Sequence, residues 1–160
     1  MKRMETCSMD KKPSNPKDRA ASNRLDISLF PQTAICYGAL AYTEGDSKYG
    51  GYNFRAAGVN VSVYYSALNR HMFKYYNGEW ADKKTGVPHL ASALACIAAI
   101  IDGHELGNIN DDRPPTVDMD GLLSTFEEVV SHLHTIFPNG PARVTQQSLE
   151  VRHDESPIPK

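Results

Sequence analysis

Between Pro88 and Gly103 the chain reads PHLASALACIAAIIDG, with Leu90, Ala91, Ala93, Leu94, Ile97, Ala98, Ile100 and Ile101 spread round nearly the whole helical circumference. A helix that is apolar on every side has no face to give to water, so it belongs at the centre of other helices. The rest of the chain supplies them. FPQTAICYGALAYTEG carries Ala34, Ile35, Ala39, Leu40 and Tyr42 after Pro31, a residue favoured at a helix start, and is expected to close at Gly45. NVSVYYSALNRHMFKYY has Val61, Tyr64, Leu68, Met72 and Tyr75 at helical spacing; its β-branched start also suits a strand, but alanine, leucine and methionine in its second half favour helix. TVDMDGLLSTFEEVVSHLHTIFPNG places Leu122, Phe126, Val129, Leu133 and Ile136 on one stripe, offers Thr116 or Asp118 as a cap, and stops at Pro138 and Gly140. The expected fold is all-α, a helical bundle of about four helices with a Gly-rich loop, DSKYGGYNFRAAG, and mobile termini.

The ends read differently from the middle. The stretch up to Arg24 holds seven Lys or Arg against three Asp or Glu and has almost no apolar periodicity, while the stretch from Pro141 onward is proline-containing and polar. The expected organisation is a basic flexible arm over 1–23, a helical domain over 24–138 and a flexible tail over 139–160. A chain of 160 residues, 41% hydrophobic, is about one domain. Net charge of −2 and a pI near 6.3 give no basic field for gripping a nucleic-acid backbone. Cys7, Cys36 and Cys96 are odd in number and widely spaced, against a disulfide framework or a zinc knuckle. No segment is expected to reach the roughly 18 apolar residues of a membrane span, and the polar start lacks the apolar core of a signal peptide. A cytoplasmic protein without membrane or nucleic-acid partners is the expectation.

Chemistry concentrates at the break before the apolar helix, YYNGEWADKKTGVPHLA, from Tyr75 to Ala91. Glu79 and Asp82 are three apart, so a helical turn there would put both carboxylates on one face, where hard oxygen donors hold a divalent ion such as Mg²⁺. His89, just after Pro88, is placed to point back at them or to cap its helix. Arg70, His71 and Lys74 lie on the preceding helix, and Lys48, Asn53 and Arg55 sit on the glycine loop with Tyr49, Tyr52 and Phe54. Lysine and arginine suit phosphate oxygens, and flat aromatic rings suit a base. An ordinary solvated turn is the competing reading of the same residues.

The order of these elements resembles a phage family, the dATP/dGTP diphosphohydrolases, akin to the MazG-like all-α nucleoside triphosphate pyrophosphohydrolases. The resemblance runs from Arg24 to Asp102 through Lys48, Tyr49, Gly50, Asn53, Phe54 and Arg55, then Arg70 and His71, then Gly78, Glu79 and Asp82, then Gly86, His89 and Leu90. Phe54 stands where tryptophan is usual and Thr85 where serine is commoner. Ser92 and Cys96 stand where the family often has histidine and asparagine, and no E-x-x-E pair is found. The resemblance implies hydrolysis of purine deoxynucleoside triphosphates, dGTP or dATP, to the monophosphate and pyrophosphate. It implies Mg²⁺, Mn²⁺ or another divalent ion held by Glu79 and Asp82, catalytic roles for Glu79, Asp82 and His89, and substrate contacts from Lys48, Tyr49, Asn53, Arg55, Arg70 and His71. It also implies a homo-oligomer, dimer or tetramer, in a host cell's cytoplasm. A histidine-aspartate phosphohydrolase is poorly supported, since the only His-Asp dipeptide is His153-Asp154 in the tail. A nucleotide-binding protein without catalysis is the remaining alternative.

Overall fold

A computed structural model describes Lys17 and residues 23–149. The arm over 1–23 lies almost wholly outside the described residues, as do the last eleven positions of the tail. After a 3-10 turn at Ile27–Leu29, the chain forms α1 (Gln32–Tyr49), α2 (Asn53–Ala57), β1 (Val59–Asn60), α3 (Val61–Tyr76), α4 (His89–Leu106), β2 (Ile109–Asn110) and α5 (Met119–Ile136). The fold class is all-α; among the described residues the strands amount to one two-residue parallel pair, Val59 against Ile109 and Asn60 against Asn110. The chain divides into two compact units after Arg113.

In the first unit α4 is the centre, packed against both α1 and α3. It buries His89, Ala91, Ala93, Ala99 and Gly103, and its small residues let neighbouring elements approach closely. A Cβ on Gly103 would stand 3.3 Å from the Val59 side chain, so glycine there is what allows β1 to lie against the helix. Two apolar clusters result, Ala41 with Val87 and Ala91, and Phe54 with Val59 and Ala99. Contrary to the expectation that no segment does so, α4 reaches the length and mean hydropathy of a membrane span, 18 residues at 1.2. It packs against α1 and α3, and a fully buried, hydrogen-bonded histidine sits in its first turn.

Two boundaries differ from those read off the sequence. α1 does not close at Gly45 but runs on to Tyr49, and its stop is Gly50, whose φ of 83° ends the helix where a side chain would be strained. A single interior glycine costs only about 1 kcal/mol relative to alanine, and the Glu44–Lys48 pair spans the site of the expected break at 2.7 Å. The Gly-rich loop correspondingly shrinks to Gly50–Tyr52, because Asn53 to Ala57 form a helical turn of their own.

In the second unit, α5 begins as its sequence indicates. Asp118 accepts a hydrogen bond from the Gly121 N–H at 2.9 Å, so it rather than Thr116 is the cap. Its apolar stripe, including Leu122, Phe126, Val129, Leu133 and Ile136, is exposed.

Candidate functional site

Glu79 and Asp82 do not share a helical face. The segment between α3 and α4 is a compact turn closed by backbone bonds from Asp82 N to Val87 O, Gly86 N to Asp82 O and His89 N to Trp80 O, at 3.0, 2.8 and 3.0 Å. Gly86, with φ 74°, makes the reversal. Asp82 organises its interior: Oδ1 accepts from the Lys84 and Thr85 backbone N–H groups at 3.0 and 3.1 Å. These backbone donors, with Lys74 nearby, hold the Asp82 carboxyl below its usual range. The two carboxylates converge instead through Lys74, whose Nζ lies 3.6 Å from Glu79 Oε1 and 3.9 Å from Asp82 Oδ2.

Behind this turn runs a chain of three side chains. Glu79 Oε1 is 3.0 Å from His89 Nε2, and His89 Nδ1 is 3.0 Å from His71 Nδ1. His89 is completely buried, so both its ring nitrogens depend on these partners. A carboxylate only accepts, so His89 Nε2 carries hydrogen; in the neutral ring Nδ1 then accepts from His71 Nδ1–H. His71 is left with Nε2 as a bare lone pair on a ring that lines the adjoining cleft. Burial first, then electrostatic coupling to His89, Lys74 and Arg70, lowers the His71 pKa from its ordinary value of 6.5. The Glu79 carboxyl is lowered chiefly by its hydrogen bond from His89.

The cleft itself is about 400 Å³ and is lined by Glu44 and Lys48 of α1, His71 of α3, Asp82 and Thr85 of the turn and Ser92 of α4, among others. Glu44 is the residue that the sequence did not bring forward. Burial pushes its carboxyl up, but hydrogen bonds from Lys48 and Thr85 outweigh that and leave it lowered, with Asp82 close enough to oppose them. Its signal was the i,i+4 spacing to Lys48, which has meaning only if α1 continues beyond Gly45.

The other expected residues are distributed as follows. Lys48, Tyr49, His71 and Asp82 line the cleft, with Glu79 and His89 behind it. Asn53 and Arg55 lie on neighbouring cavities, the first of them aromatic, lined by Tyr42, Tyr49, Tyr52, Phe54 and Tyr64. Arg55 is held bidentately by Asp102, Nε to Oδ2 at 2.8 Å and Nη2 to Oδ1 at 2.7 Å, and its guanidinium stands 5.2 Å from the Tyr52 ring centre. Arg70 is exposed on α3 and reaches the site only through its charge on His71 and Cys96.

Among the described residues no three His, Cys, Asp or Glu side chains converge as a ready-made metal centre. Mg²⁺ does not need one, since it commonly takes one or two carboxylates and completes its shell with waters and phosphate oxygens. Glu44 and Asp82, hard oxygen donors within electrostatic reach of each other on one cleft, fit that requirement.

Fold and cleft together define an all-α protein with a carboxylate- and lysine-lined cleft beside an aromatic cavity. Residues 14–113 match the family model described as dATP/dGTP diphosphohydrolase, N-terminal, and the chain belongs to that family. No curated protein and no solved structure matches it.

Proposed function

We propose that this chain hydrolyses purine deoxynucleoside triphosphates, dGTP and dATP, to the monophosphate and pyrophosphate in phage nucleotide metabolism. The observation that carries the reading is the Glu79–His89–His71 chain ending beside two carboxylates in a cleft that also holds Lys48 and Lys84. Glu44 and Asp82, with Glu79 close behind, are the residues that would hold Mg²⁺ or a similar ion. Bound there, such an ion neutralises phosphate charge and makes water more acidic.

The side chains divide the remaining work. Lys48 and Lys84 face the anionic oxygens of the triphosphate. His71 Nε2 accepts a proton from the attacking water; the hydrogen on His71 Nδ1 is shared with His89 Nδ1, and Glu79 stabilises the positive charge that forms on the pair. Arg55, already committed to Asp102, fixes α2 against α4 and so holds the aromatic loop in place. Tyr49 borders both the cleft and the aromatic cavity, where a base would stack.

Purified protein incubated with each of the four deoxynucleoside triphosphates should consume the two purine substrates fastest in Mg²⁺, and a chelator in excess should abolish turnover. Undiminished turnover after chelation would remove the metal from the account. Absence of turnover with any divalent ion would favour a binding protein instead.

A further inference from the structure

Beside the cleft lies a smaller cavity of about 160 Å³, walled by aromatic rings that include Tyr42, Tyr52, Phe54 and Tyr64. It adjoins the cleft, and Tyr49 and Gly45 are among the residues that line both. Besides tyrosine hydroxyls and the Cys96 thiol, its polar side chains are Asp46 and Asn53.

Asp46 stands out in three respects. It is exposed, and its carboxylate makes no hydrogen bond or ion pair with any described residue, unlike the engaged carboxylates of Glu44, Glu79, Asp82 and Asp102. Oδ1 lies 3.0 Å from where a Cβ would stand on Gly51, so the carboxylate rests against a bare backbone that any side chain would push it from. The loop at that wall is strained: Tyr52 has φ 57°, the one non-glycine in the left-handed region among the described residues. That conformation sets the Tyr52 ring 6.4 Å from Phe54, on the same cavity as Asp46.

We propose that Asp46 reads the edge of the base and makes the cavity selective for guanine. The inference rests on the nucleotide reading above. An ionised carboxylate offers acceptors only. Guanine presents two adjacent donors, N1–H and the N2 amino group, which one carboxylate takes in a bidentate pair. Adenine sets a lone pair at N1 beside its amino group, so one carboxylate oxygen would face a second acceptor. Asn53, which carries both a donor and an acceptor, is the group that would serve adenine, but a charged hydrogen bond is about twice as strong as a neutral one.

The test separates base selection from chemistry. Binding of dGMP and of dAMP to the full chain is measured by calorimetry, and kcat/KM for dGTP and dATP is measured beside it, for the native protein and Asp46→Asn. The native protein should prefer guanine by about tenfold or more in both measurements, and Asp46→Asn should erase most of that ratio while improving the adenine arm. Circular dichroism confirms that the variant is folded. Equal loss for both purines, or a native preference for adenine, overturns the proposal while leaving the hydrolase reading intact. Guanine-selective binding that depends on Asp46 without any hydrolysis upholds it and sinks the hydrolase reading. Binding of neither nucleotide, with no turnover, overturns both.

Discussion

Asp82→Asn is expected to lower turnover of dGTP by more than about a hundredfold while leaving the fold intact. The substitution is nearly isosteric, and the amide oxygen can take over the backbone N–H bonds from Lys84 and Thr85 that Oδ1 accepts at 3.0 and 3.1 Å. The turn therefore survives. What disappears is the negative charge that, with Glu44, would hold a divalent ion on the cleft, and the proposed ion would lose one of its carboxylates. Steady-state kinetics across a wide range of Mg²⁺ concentration, with thermal melting as the control on folding, checks this. Near-native rates in saturating Mg²⁺ would remove Asp82 from the site.

Glu79→Gln should cost a comparable factor by a different route. The glutamine amide oxygen can still accept from His89 Nε2–H, but the negative charge that stabilises the protonated histidine pair is gone. The histidine pair keeps its geometry but loses its partner for positive charge, so proton transfer to His71 becomes harder. The expected result is a large fall in kcat with KM little changed. In the native protein the base works while His71 is unprotonated. Its lowered pKa therefore places the acid limb of the rate profile below the 6.5 of an ordinary histidine, with activity lost as pH falls through it. A native profile whose acid limb lies above that value, or a Glu79→Gln enzyme of normal kcat, would show that the histidine pair is structural.

The central helix and the turn that precedes it were legible because their signals are local. An all-round apolar run needs a bundle, Pro88 and Gly86 punctuate its approach, and Asp118 stands where a cap should. Glu44 was hidden by a local signal of the wrong sign: Gly45 reads as a helix stop, yet the true stop is Gly50, where the backbone takes φ 83°. The contacts that complete the site are long-range and leave no trace in spacing. His71 meets His89 across 18 positions and Arg55 meets Asp102 across 47. The strand pair has the same origin, since β1 and β2 are two residues each and exist only because α4 returns the chain beside Val59. Glu79 and Asp82 met by a route that spacing did not give, through a closed turn and Lys74 rather than a shared helical face.

Carboxylates, lysines and a histidine base serve attack at more than one phosphorus, so the bond that is broken decides between the possible reactions. Incubating the protein with dGTP and Mg²⁺ and resolving the products chromatographically should show dGMP and pyrophosphate formed in equal amounts. Deoxyguanosine with tripolyphosphate, or dGDP with phosphate, would contradict the proposed reaction.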